Sequence, residues 1–204
     1  MSRRILALTA VLTVALAILV GLAVRKAALQ PAAETTAAIG GPFQLVDQKG
    51  ATVDQELLKG KWSAVFFGFT HCPDICPTTL FELGQVERRL GGKAKDFQAV
   101  FISVDPGRDT PQVVGEYIAN EAFPRRIVGL TGSPAQTAAA AKAYRVYYQV
   151  RGEGPDYAVD HASYTYLMGP RGQFVCPLAY DLTPEQIAAK IETAMRRGSR
   201  TEAC

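Results

Sequence analysis

Two runs, Trp62–Phe69 (WSAVFFGF) and Phe97–Val104 (FQAVFISV), are apolar almost without interruption and rich in β-formers. Such runs read as strands buried on both faces, which requires a sheet covered on both sides. Helical segments alternate with them. Pro77–Leu90 carries Leu80, Leu83, Val86 and Leu90 as one apolar stripe. Thr110-Pro111, Ser133-Pro134 and Thr183-Pro184 each set a capping hydroxyl before a proline suited to a first helical turn. Thr183 also forms a capping box with Gln186, and Arg196-Arg197-Gly198 closes the last helix, Pro184–Arg197. Ile127–Leu130 and Tyr144–Val150 are weaker strands. Tyr164–Met168 and Gln173–Leu178 flank Gly-Pro-Arg-Gly, a hairpin signal. The order implies an α/β sandwich around a central mixed sheet.

The N-terminus follows different rules. Ile5–Val24 is an uncharged, mostly apolar stretch of twenty residues. As a helix it would be roughly 30 Å long, enough to cross a bilayer and longer than the apolar core of a cleaved signal. A single retained transmembrane helix within 1–29 is expected. Arg3 and Arg4 precede the stretch and Arg25 and Lys26 follow it, a balance that leans slightly to a cytoplasmic N-terminus. Residues 30–41 (QPAAETTAAIGG) are too poor in large apolar groups to order themselves and read as a linker. The folded domain is expected over 42–198, with 199–204 as a loose tail. The formal charge of +3 rests on those four N-terminal basic residues, so the folded part is near neutral. No basic field suggests nucleic acid. Four cysteines are too few for a disulfide scaffold, and no Gly-rich loop opens a helix to cradle phosphate.

Chemistry concentrates in Gly68-Phe-Thr-His-Cys-Pro-Asp-Ile-Cys-Pro-Thr-Thr-Leu80. Cys72 and Cys76 fall where a buried strand gives way to a helix. Helix N-terminal amides favour thiolates, which are redox nucleophiles and soft metal ligands. If the first turn includes both, the i, i+4 spacing points both sulfurs to one side. Only two histidines can supply a third donor. His71 adjoins Cys72 and points elsewhere, so it is a poor ligand. His161, directly before an expected strand, reaches the cysteines only through the fold. It is either a ligand, its ring oriented by Asp160, or a structural histidine. Asp74 reads as a helix-start acid. Cys176 reads as a small buried strand residue, and Cys204 as a free thiol in the tail.

Three segments, Gly68–Leu80, Ser103-Val-Asp-Pro-Gly-Arg-Asp-Thr-Pro111 and Val159-Asp-His161, together resemble the Sco/SenC copper chaperones of cytochrome c oxidase assembly. The resemblance spans roughly Pro42 to Arg197. It implies a thioredoxin-like fold held outside the cytoplasmic membrane by its anchor, on the periplasmic side, or on the intermembrane-space side in a mitochondrion. It implies copper, Cu(I) or Cu(II), bound by Cys72, Cys76 and His161. It implies a partner in cytochrome c oxidase subunit II, whose copper A site is assembled, and a copper donor protein. Asp105, Arg108 and Asp109 match the second motif and read as structural or as docking surface. Met168-Gly-Pro-Arg171 departs from the acid-containing turn of the family, and Cys176 and Cys204 stand outside its motifs.

A metallochaperone, a binding protein without catalytic residues, is therefore expected. The rival uses the same sulfurs: a thiol–disulfide oxidoreductase with Cys72 and Cys76 as a redox-active disulfide. Against it, redox enzymes of the thioredoxin type use Cys-x-x-Cys, one residue shorter than here, and place a proline where this chain offers His161. A redox or copper sensor is a third reading.

Overall fold

The structure, a computed structural model, describes residues 39–154 and 157–198. The expected membrane span, most of the linker and the tail with Cys204 lie outside the described residues. Among the described residues no helix is long and apolar enough to cross a membrane.

The two apolar runs form the middle of the molecule. β3 (Trp62–Gly68) and β4 (Phe97–Ser103) pair in parallel from Trp62 opposite Phe97 to Gly68 opposite Ser103, and every residue of both is buried. Two of their three polar residues, Ser63 and Gln98, satisfy each other. Gln98 donates to Ser63 Oγ at 2.9 Å and to the Leu57 carbonyl at 3.0 Å, so neither costs an unpaired group in the core. β5 (Ile127–Thr131) adds in parallel to β4. The edges are antiparallel: β1 (Gln44–Asp47) and β2 (Thr52–Asp54) on one side, β8 (Thr165–Met168) and β9 (Phe174–Leu178) on the other. The order β2-β1-β5-β4-β3-β8-β9 makes a seven-stranded mixed sheet.

Helices α1 (Ile75–Leu90), α2 (Pro111–Ile118), α3 (Pro134–Tyr144) and α4 (Pro184–Arg197) pack their apolar faces into the sheet's core. The result is a thioredoxin-like α/β fold. The hydroxyls of Thr110, Ser133 and Thr183 each accept from a first-turn amide, with full capping boxes at Ser133/Gln136 and Thr183/Gln186. Gly198 closes α4 in the left-handed conformation, at φ 69°.

Three local expectations change. The strand expected from Tyr144 starts later, because Tyr144 is the fully buried last residue of α3 and Arg145 caps that helix at φ 56°. Only β6 (Tyr148–Arg151) is extended there. It pairs with β7 (Ala158–His161), so His161 ends a strand rather than preceding one. Finally, α1 starts at Ile75, ahead of Pro77, which is tolerated because a first-turn N–H has no intrahelical partner. The β6–β7 hairpin forms its own two-stranded sheet.

Candidate metal centre

The chain leaves the sheet at Gly68 and must turn sharply to enter α1. Cys72 lies in that turn, its amide bonded to the Phe69 carbonyl at 3.2 Å. The helix therefore holds only Cys76; Cys72 precedes it, and the two sulfurs do not lie on one helical face as the spacing suggested. Cys76 is fully buried and Cys72 is half-buried. A Cβ on Gly68 would come within 2.6 Å of Cys76 Sγ, so the glycine makes room for the buried sulfur.

The two thiols are unequal. Cys72 is lowered from the ordinary 9.0 to about 4. The hydrogen bond donated by the Cys76 thiol is the main cause; the amides of Asp74 and Cys76 add to it, against burial. Cys76 is pushed up, first by donating to Cys72 and then by burial. One proton is thus shared across the pair and resides on the inner sulfur, leaving a thiolate on the outer one.

His161 arrives from the hairpin. Its Nε2 lies 3.5 Å from Cys76 Sγ. Its ring stands edge-on to Phe69 and Phe66, with centroids 5.7 and 6.2 Å away. Nδ1 is 3.0 Å from the Ala162 carbonyl. A carbonyl only accepts, so in the neutral ring the proton sits on Nδ1 and the Nε2 lone pair faces the sulfurs. Asp160 does not orient the ring: successive strand side chains diverge, and its carboxylate takes the Arg151 guanidinium at 2.7 Å.

The donor atoms of Cys72, Cys76 and His161 all lie within 4.8 Å of one another. Bonds of about 2.0–2.3 Å to one ion would separate three such donors by roughly 3.5–4 Å, so small side-chain adjustments would close the trio on a metal. Two sulfurs and an imidazole suit a soft or borderline ion, Cu(I) above all.

His71 stands apart, half-exposed, with Nδ1 3.0 Å from Thr70 Oγ1. Together with Asp105 and Asp109 it forms a second cluster of potential donors, but those carboxylates are already engaged. Asp109, with no exposed surface, accepts from the Thr70 amide at 3.0 Å, Thr70 Oγ1 at 2.6 Å and Ser103 Oγ at 2.6 Å. Burial makes Asp105 and Asp109 structural rather than a docking surface. Asp74 is the N-cap residue of α1 and makes no side-chain bond to a first-turn amide. Cys176 is buried in β9 and takes no part in the site. Gly68, Phe69, the Ala162 carbonyl and Tyr157 also shape the site. Gly68 alone carried a signal, as the single glycine in an aromatic strand end.

Residues 31–196 match the family model described as SCO1/SenC. The chain is 48% identical over 141 residues to the mitochondrial protein SCO1 homolog 1 of Arabidopsis thaliana, an alignment covering 68% of this chain and 42% of that longer protein. Its fold superposes on copper-bound ScoI of Bradyrhizobium japonicum with a TM-score of 0.69 at 47% identity, covering 76% of this chain and 98% of the other. A similar structure, at TM-score 0.61 and 28% identity, covers 78% of this chain and 94% of BsSco. That protein is described as having a disulfide switch and as a member of the Sco family of cytochrome c oxidase assembly proteins.

Proposed function

This chain belongs to the SCO1/SenC family, and on that premise we propose that it is a copper metallochaperone that binds copper through Cys72, Cys76 and His161. The observation that carries the reading is the convergence of two sulfurs with the Nε2 lone pair of His161. Copper is cargo here. It is taken from a donor protein and passed to the copper A site of cytochrome c oxidase subunit II. The recipient's thiolates replace the three ligands one at a time. Ligation needs deprotonated sulfur and neutral imidazole, so affinity falls as pH is lowered. The stretch Ile5–Val24 anchors the domain, and residues 30–41 tether it on the periplasmic side of the cytoplasmic membrane, or the equivalent side in a mitochondrion.

The unequal thiols favour a second reading, in which the same pair reduces the recipient's cysteines. The Cys72 thiolate attacks the recipient's disulfide and forms a mixed disulfide, releasing one recipient thiolate. Cys76, after losing its proton, attacks the Cys72 sulfur and releases the second. Two electrons pass to the recipient, and Cys72 and Cys76 end as a disulfide.

Copper titration of the fully reduced chain in detergent separates the two. The chaperone reading expects one copper per chain, strong weakening in His161→Ala and loss of high-affinity binding once Cys72 and Cys76 are oxidised. Unchanged binding in His161→Ala, or full stoichiometry in the oxidised protein, would overturn it.

A further inference from the structure

The loop between β4 and α2 carries Asp105, Gly107, Arg108 and Asp109, none of which approaches the metal trio as a donor. It touches both sides of that trio. Towards the cysteines, Asp109 holds Thr70, two residues before Cys72, through the bonds at 3.0 and 2.6 Å. Towards the histidine, Arg108 holds Tyr157, four residues before His161. The Arg108 guanidinium carbon lies 3.8 Å from the centre of the Tyr157 ring. Its Nη1 donates to the Tyr157 carbonyl at 2.9 Å. Its Nε donates to Asp105 at 2.6 Å, and the Tyr157 hydroxyl donates to the other oxygen of the same carboxylate. Gly107 leaves space for that hydroxyl, since a Cβ there would stand 3.1 Å from it. The closed arrangement is mostly buried: Asp105 is 2% exposed and the Arg108 side chain 17%.

The hairpin needs such a hold. Among the described residues β6 and β7 pair only with each other, so backbone bonding to the large sheet does not fix where His161 sits. Both strands are largely exposed, with Val159 the one buried residue. Val159, the core-packed Tyr148 and Ala162, the contacts of the imidazole and the Tyr157 grip join the hairpin to the body of the domain. We propose that the β4–α2 loop is a bracket that sets the separation of the thiol pair from His161, with Arg108 and Tyr157 as positioning residues on the histidine side. This rests on the copper reading, because His161 must be a ligand for its position to matter.

The test is a double-mutant cycle on the full reduced chain in detergent, reading Cu(I) affinity by competition with a chromophoric chelator. Tyr157→Leu removes the ring from the guanidinium, and Cu(I) affinity is expected to fall about tenfold, as for loss of a partly desolvated cation–π contact. Tyr157→Phe keeps the ring and is expected to stay within about twofold of the parent. In a His161→Ala background, Tyr157→Leu is expected to cost nothing further, because it acts through the histidine. Without copper, amide exchange at residues 158–161 is expected to quicken in Tyr157→Leu. If Tyr157→Leu does not fold, Arg108→Lys carries the same cycle: it keeps the charge beside Asp105 and loses the flat stack. Parent-like affinity in Tyr157→Leu (or in Arg108→Lys where it replaces that variant), or an equal loss with and without His161, overturns the bracket and leaves the copper reading standing. Parent-like affinity in His161→Ala itself overturns the copper reading and the bracket together.

Discussion

The sulfurs and the imidazole reach the same point from two unlike regions. The sulfur side grows out of the most buried strands of the domain: Cys76 sits beneath Gly68 with no spare space, and Asp109 ties the turn to β4 with three hydrogen bonds, two to Thr70 and one to Ser103. The imidazole side is an exposed two-stranded hairpin held by a few side chains. The large sheet fixes the thiol pair, whereas the histidine is aimed by the small hairpin and by contacts to Tyr157 and the Ala162 carbonyl. On the copper reading proposed above, ligand exchange with a partner is expected to begin at the histidine.

The largest expected contrast lies within the thiol pair. Alkylation of Cys72 should follow an apparent pKa near 4, while Cys76 stays unreactive well above neutrality. Because the folded value of Cys72 lies below the ordinary 9.0, the stability it contributes is complete above pH 9.0 and is lost as pH falls through about 4. Cys76, shifted the other way, contributes below pH 9.0 and loses that contribution as pH rises beyond it. Equal alkylation of both thiols at pH 6, read by peptide mass, would erase the distinction between inner and outer sulfur.

Asp109→Ala comes next. It strands the Thr70 and Ser103 donors in the core and should cost about 3 kcal/mol in urea unfolding, since each orphaned buried group costs roughly 1–3 kcal/mol. Gly68→Ala forces a methyl onto Cys76 Sγ and should cost about 2 kcal/mol, within the usual range for overpacking. If either variant unfolds like the parent, the sulfur side is less rigid than its packing indicates.

Asp160→Ala should do least. Its exposed pair with Arg151 should change stability by under about 0.5 kcal/mol and leave copper affinity unaltered. A tenfold loss of affinity would restore Asp160 as the residue that aims the ring and would move control of His161 back into the hairpin.

The sulfur side was the more legible from sequence, for a physical reason. Buried strands write themselves as apolar runs, and capped helices as hydroxyl–proline pairs, so β3, β4 and α4 could be read residue by residue. The short edge strands β1 and β2 bury too little to leave a pattern. β7 alternates over four residues, too few to separate a strand from a loop, so the sequence places His161 before a strand although it ends one. Asp160 looked like the ring's partner because it is adjacent, but neighbouring strand side chains point apart. Tyr157 carried no sequence signal, since its partners Asp105 and Arg108 lie far back in the chain. The role of Asp109 was equally hidden, although its motif was recognised, because only the fold brings Thr70 and Ser103 to one carboxylate.

X-ray absorption of the reduced, copper-loaded chain tests the central claim most directly. The account predicts two sulfurs and one imidazole nitrogen around each copper, with the nitrogen contribution lost in His161→Ala and the two sulfurs retained. A copper environment of sulfur alone in the parent, or one that His161→Ala leaves unchanged, would contradict it.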